Sequence, residues 1–185
     1  MKPDSSGPPD PPASGSRLPE PMASVLASLP AAPSPGVIVD ALVPACADLA
    51  WISVPIDGYL RVSAYSHIDP LRLPALAEFQ KYYVPAIGDA HSFMARVLRT
   101  GMPELVSPEA LAEVERLVSN AGTRAALSAL GARTSLIVPF IDAVEPTLGR
   151  AVLLTAMSSS GRGVDEDDLA DLAQFARTLS PRLRW

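Results

Sequence analysis

Apolar and polar positions recur with a recognisable period along most of residues 36–185, and the period changes several times. Val37, Leu42, Ala45, Cys46 and Leu49 fall broadly on one side at helical spacing, which predicts a helix from Val37 to Leu49. Pro44 interrupts it, so this helix is expected to be kinked or to start late. Trp51–Val54 and Tyr59–Tyr65 read as strands joined across Asp57-Gly58, a hairpin signal because both turn positions favour positive φ. In the second strand Leu60, Val62 and Ala64 alternate with Tyr59, Arg61, Ser63 and Tyr65, predicting one buried face and one semi-polar face.

Asp69-Pro70 opens a helical region, with a side-chain acceptor at the cap and proline at the first turn. Pro74 suggests a second start, with a regular helix over Pro74–Tyr82. Further helices are predicted over His91–Thr100, ended by Gly101, then Glu109–Ser119, and Thr123–Leu130, ended by Gly131. Thr134–Phe140 and Leu148–Met157 are near-continuously apolar, as expected of central strands covered on both faces. Pro146 lies in the turn-rich segment between them, and Pro139 marks a bulge or strand edge. The last helix carries the strongest signature. Asp165 is its cap, an acid follows three residues later, and Val164 and Leu169 stand in staple positions. Leu169, Leu172, Ala176 and Leu179 form its apolar stripe, and it should end near Ser180, before Pro181. The fold class is α+β, an antiparallel sheet flanked by helices.

Ten of the twenty prolines precede Gly36, interspersed with Ser and Gly, which predicts a disordered leader over residues 1–35 and an ordered domain over 36–185. Within the leader, Met22–Leu29 admits two readings, a short docking helix or a sticky patch in a linker. A leader of this kind would tether or dock a partner, and deleting it should leave the melting of the core intact. With 48% apolar residues the chain can build a core, made mainly of aliphatic side chains because aromatics are only 5%. The net charge of −5, without a run of Lys or Arg, argues against nucleic acid as a partner. The N-terminus lacks the apolar stretch of a secretory signal, no apolar run reaches the roughly 20 residues of a membrane span, and a cytoplasmic protein is expected.

Several segments carry a resemblance. His67-Ile68-Asp69-Pro70, Ala95 to Val106, Leu130 to Pro139, and Asp165-Glu166-Asp167-Asp168-Leu169 resemble GAF domains, above all those of actinobacterial-type sensor kinases and SpoIIE-like phosphatases. The resemblance covers about Val37 to Leu179 and implies a GAF-like fold. It also implies a regulatory role, since such domains bind small ligands, dimerise or relay a signal. In the relatives the last helix runs on into an output domain, whereas here the sequence stops at Trp185. The expectation is therefore a free-standing, non-enzymatic regulatory domain that acts in trans on a separate protein. A homodimer through the terminal helices is a further candidate, although a stripe of two heptads is too short to establish a coiled coil.

The ligand pocket implied by the fold lies between one sheet face and the middle helices. Tyr59, Arg61, Tyr65, His67, Phe79, Tyr82, Tyr83, Phe93 and Arg133 are its candidate residues, the alternative being that the aromatics fill the core. A cofactor-loaded sensor of the haem type is the alternative function, with His67 or His91 as axial ligand. His67 equally suits an ordinary hydrogen-bonded turn, and His91 a helix flank. The cofactor itself is left unknown by the sequence. Cys46, the only cysteine, reads as a core residue; it excludes a disulfide, a cysteine-based metal site and the several cysteines of a methionine-sulfoxide reductase. Asp165–Asp168 point in different directions on a helix and act as cap and dipole partners rather than as metal ligands. The Asn-Lys-x-x-x-Phe-x-x-x-Asp-Glu signature of cyclic-nucleotide-binding relatives is missing, and Gly161-x-Gly163 is too short for a nucleotide fingerprint. No catalytic constellation and no metal site is assigned.

Overall fold

The computed structural model describes residues 19–118, 120–141, 149–157 and 164–184. Its elements in chain order are α1 (Glu20–Ser28), α2 (Pro35–Leu42), β1 (Leu49–Ile56), β2 (Tyr59–His67), α3 (Leu73–Tyr82), α4 (Phe93–Thr100), β3 (Glu104–Val106), α5 (Pro108–Leu117), α6 (Ala121–Leu130), β4 (Thr134–Ile141), β5 (Gly149–Met157) and α7 (Glu166–Leu179). Single 3-10 turns at Pro70–Arg72 and Ser180–Arg182 precede α3 and follow α7. The five strands form one antiparallel sheet in the order β2-β1-β5-β4-β3. The turn at Pro146, the Gly161-x-Gly163 segment and residues 1–18 of the expected leader lie outside the described residues.

Local chemistry explains most element boundaries. Asp57 and Gly58 adopt φ of 51° and 81°, so the hairpin between β1 and β2 turns as their side chains permit. Gly101 and Gly131 end α4 and α6 in the left-handed conformation, where a Cβ would be strained. The Asp165 carboxylate accepts from the Asp168 N–H at 3.0 Å while Asp168 accepts from the Asp165 N–H at 3.2 Å, a complete capping box for α7. Pro139 sits just past the stretch of β4 that β3 covers, where a missing N–H disrupts no second ladder.

Alternation across the sheet separates two cores. Ala50, Ile52, Leu136, Val138, Phe140, Ala151 and Leu153 face α1, α2 and α7. Leu49, Trp51, Leu60, Ile137, Val152 and Leu154 face α3, α4 and α6. Both faces of the central strands are dry, as their continuous apolar character predicts.

Three expectations differ from the structure. The helix foreseen over Val37–Leu49 is Pro35–Leu42: Ser34 caps it, Pro35 occupies its first turn, and it stops before Pro44, because a residue preceding proline is pushed out of the helical region. Leu49 belongs to β1 instead. The leader expected to be disordered to residue 35 contains α1, in line with the docking-helix reading of Met22–Leu29; its Met22 and Val25, with Leu29 just after it, are buried in the α7-side core. Arg182 fastens this segment by donating from Nη2 to the Leu29 and Pro30 carbonyls at 2.8 and 2.6 Å, and from Nη1 to the Leu26 carbonyl at 3.3 Å. Finally, β3 is a fifth strand, too short for any periodicity to announce it.

Candidate functional site

The sheet face beneath α3–α6 is where the candidate residues were expected to converge, and β2 decides which of them reach it. Its pairing with β1 slips between Ile52 and Ser53: Ile52 faces Ala64, but Ser53 faces Val62, leaving Ser63 as an extra bulged residue. One inserted residue reverses the alternation. Leu60 and Val62 point toward α3–α6 before the bulge, and Tyr65 does so after it, while Ala64 joins the α7-side core. Tyr59 and Arg61 therefore lie on the opposite face from Tyr65, both exposed. Arg133 is also exposed, in the connection before β4, as is Tyr82 at the end of α3. These four stand apart from the remaining candidates.

Phe79, Tyr83 and Phe93 do come together. Trp51 from β1 packs against Phe79 with ring centroids 5.9 Å apart, and Phe79 stacks on Tyr83 at 4.7 Å. The Trp51 indole N–H points to the Met94 sulfur at 3.4 Å. Phe93 is covered by Arg96, whose guanidinium carbon lies 4.9 Å from the ring centroid and whose Nε donates to the Glu104 carboxylate at 3.0 Å. What remains between these side chains, α5 and α6 is an apolar cavity of about 60 Å3. Trp51 and Met94, which also line it, were not among the candidates. Trp51 opens a β-prone run and Met94 adjoins Phe93, so each was visible only as a core residue. Burial raises the Tyr83 phenol above its ordinary range, only partly offset by its contact with Ser92 at 3.5 Å.

The α3–α4 connection closes this face. The Leu60 N–H donates to the Pro85 carbonyl, and the Ile87 N–H to the Gly58 carbonyl, both at 2.9 Å. Arg99 holds the same loop through the Asp89 carbonyl at 3.1 Å and the Ile87 carbonyl.

His67 is buried at the end of β2, opposite Leu49. Its Nδ1 accepts from the Asp69 N–H at 2.9 Å, so the ring proton resides on Nε2, which is buried without a hydrogen-bond partner. Desolvation, followed by the Arg72 charge, lowers its pKa and keeps it neutral. His91 is exposed, with its N–H on the Asp89 carboxylate at 2.9 Å, and Ser92 caps α4. A haem does not fit these residues: neither histidine lines the cavity, and 60 Å3 lies far below the several hundred Å3 of ordinary ligand sites. Cys46 is half-buried against the α7-side core, and burial pushes its thiol up. Among the described residues no group of three or more His, Cys, Asp or Glu side chains is arranged to hold a metal ion, and no helix is long and apolar enough to cross a membrane.

The apolar stripe of α7, for which both a dimer contact and packing on its own sheet were open, is buried within the chain. Leu169, Leu172, Phe175, Ala176 and Leu179 pack on the sheet and α1, leaving Glu166, Asp167, Arg177 and Thr178 outside.

No family model matches the sequence, and no curated protein does. Solved structures do. The GAF domain from a phosphoenolpyruvate-protein phosphotransferase of Coxiella burnetii superposes with a TM-score of 0.59 at 14% identity, covering 87% of each chain. The second GAF domain of DevS from Mycobacterium smegmatis gives 0.51 at 15%, covering 86% of this chain and 91% of that one. A type II free methionine-R-sulfoxide reductase from Thermoplasma acidophilum gives 0.53 at 12%, covering 88% and 94%. The chain has the GAF fold.

Proposed function

We infer that this GAF-fold chain is a regulatory domain that works without catalysis of its own and transmits its signal by contact with a separate protein. The observation that carries the reading is the filling of the sheet face beneath α3–α6. Trp51, Phe79, Tyr83 and Met94 occupy the space, and the 60 Å3 left over is too small for a nucleotide or a tetrapyrrole. A domain packed in this way acts through its surface. Leu71, 87% exposed beside the half-exposed Ile68 at the β2–α3 turn, supplies an apolar contact point that the chain itself does not use.

The enzymatic reading, raised by the reductase of the same fold, meets the single cysteine of this sequence. Turnover of a nucleotide, a phosphoprotein or free methionine sulfoxide by the purified chain would overturn the proposal. An absorbance spectrum after haem supplementation tests the cofactor-loaded alternative; a stable Soret band would reinstate it. For contact in trans, Leu71→Glu should leave the melting temperature unchanged and abolish co-purification of the partner captured by the unaltered chain. Undiminished capture by that variant would remove the β2–α3 turn from the interface.

A further inference from the structure

Of the two histidines, His91 is exposed and His67 is buried, 6% exposed, where β2 ends and the turn toward α3 begins. The His67 Nε2 is sealed from water without a partner, and its Nδ1 is committed to accepting from the Asp69 N–H at 2.9 Å. That bond begins a chain of contacts through the turn. The Asp69 Oδ1 accepts from the Leu71 N–H at 3.0 Å, and its Oδ2 lies 3.6 Å from Arg72 Nε. Arg72 in turn donates from Nη1 to the Ala129 and Leu130 carbonyls at the end of α6. The same turn carries Ile68 and Leu71, 50% and 87% exposed.

A neutral imidazole satisfies this chain of contacts, and an imidazolium does not. Protonation puts a hydrogen on Nδ1, so both ring nitrogens become donors and Nδ1 meets the Asp69 N–H donor to donor. The hydrogen bond is lost outright. The new charge is also buried beside the unpartnered Nε2–H, which costs free energy until the ring reaches water or a carboxylate. Among the described residues three charged groups act on the ring: Asp48 before β1, Asp69 of the turn, and Arg72 just before α3. The two carboxylates draw an imidazolium and the guanidinium repels it, so the turn that carries Asp69 and Arg72 has to rearrange around it. Ile68 stays pinned by its N–H on the Asp48 carbonyl at 2.8 Å, which leaves residues 69–72, with Leu71, as the part that moves.

We propose that the β2–α3 turn is a proton-operated element of the contact surface: protonation of His67 breaks its bond to the Asp69 N–H, releases residues 69–72, and withdraws Leu71 from its place beside Ile68. The proposal rests on the regulatory reading in one respect, that Ile68 and Leu71 form the contact point. Contact with a partner is then strong near neutral pH and weak in mild acid, without a bound ligand. Burial and the Arg72 charge place the changeover below about pH 6.5, the ordinary value of histidine.

Amide hydrogen exchange of the full chain between pH 8 and 5, resolved by residue with NMR and corrected for the intrinsic pH dependence of exchange, tests it. The carbon-bound imidazole protons of His67 and His91 report the two ring titrations in the same samples. Protection of the Asp69 N–H should fall about tenfold as His67 titrates, the worth of one hydrogen bond. The Leu71 and Arg72 amides should follow, and the ladder between β1 and β5 should not move. His67→Asn puts a side-chain oxygen near the Nδ1 position that accepts at every pH, so it should keep Asp69 protected throughout. His91→Asn, at the exposed histidine, should leave the transition intact. The transition is read on the chain alone, so its absence leaves the Leu71→Glu capture test of the contact reading standing. Unchanged Asp69 protection across the His67 titration, no His67 titration before the sheet itself unfolds, or the same loss in a folded His67→Asn variant would each overturn the proposal.

Discussion

Leu29→Ala is the sharpest test of how α1 is held, because composition alone places this residue in a dispensable leader. Leu29 is 6% exposed and packs into the α7-side core with Met22 and Val25. The substitution removes three carbons from a dry site, worth about 0.8 kcal/mol each, or about 2–3 kcal/mol in total. The cavity contribution should be small, since a helix at the margin of the domain can settle inward. An upper bound follows from the same position: once the loss exceeds the docking free energy of α1, the helix detaches and further damage stops. For a chain of this size each kcal/mol lowers the melting temperature by about 2–4 °C, so the drop should be about 5–10 °C. Differential scanning calorimetry measures it, with Ser24→Ala on the exposed side of α1 as a control expected within about 0.5 kcal/mol of the unaltered chain. Deleting residues 1–30 should act in the same direction, because it also strips the carbonyl partners from Arg182. If Leu29→Ala melts within about 2 °C of the parent, α1 is not part of the core and the reasoning fails.

Other expectations follow from the same packing. Gly131→Ala combines a φ of +63° with a Cβ 2.7 Å from Arg72 Nη1, the group that caps α6 through the Ala129 and Leu130 carbonyls at 2.8 and 2.7 Å. It should cost more than Gly58→Ala, whose Cβ meets nothing and which pays only the roughly 1–2 kcal/mol of the left-handed conformation; chemical denaturation of the two compares them directly. Phe79→Ala should cost about 3–5 kcal/mol by removing the middle ring of the aromatic stack, while Tyr83→Phe, which breaks only the 3.5 Å contact to Ser92, should stay within about 1 kcal/mol in the same denaturation. His67 titrates below its unfolded value, so the unfolded chain binds the extra proton first. Its contribution to stability is complete above about pH 6.5 and is lost as pH falls through the folded pKa. Melting from pH 8 to 5 should fall more steeply for the parent than for His67→Gln; parallel curves would show that His67 does not titrate on unfolding.

Much of this architecture is written in short-range chemistry. The Asp57-Gly58 turn, the glycines that end α4 and α6, and the Asp165–Asp168 capping box involve residues within four positions of one another. Their dihedral and hydrogen-bonding preferences act before any tertiary contact forms, so the element order and the final helix were legible in the sequence. The resemblance of four ordered segments to GAF domains pointed to the same fold.

The candidate site was legible only in part. Phe79, Tyr83 and Phe93 meet as expected, yet Tyr59 and Arg61 face away from Tyr65 because one bulged residue at Ser63 reverses the alternation of β2. A bulge is set by how β1 presents its hydrogen bonds, not by the composition of β2. The place of α1 was likewise decided at a distance: Met22, Val25 and Leu29 form an ordinary small apolar set until α7 and Arg182, some 150 residues later, supply a face and a clamp. The filling of the sheet face beneath α3–α6 depended on side chains from separate elements meeting there, Trp51 of β1 and Met94 of α4 among them. Sequence alone determined most of the turns, the caps and the order of the longer elements. Tertiary structure decided which surfaces they bury, because burial is a property of pairs of elements and each sequence segment carries only one member of the pair.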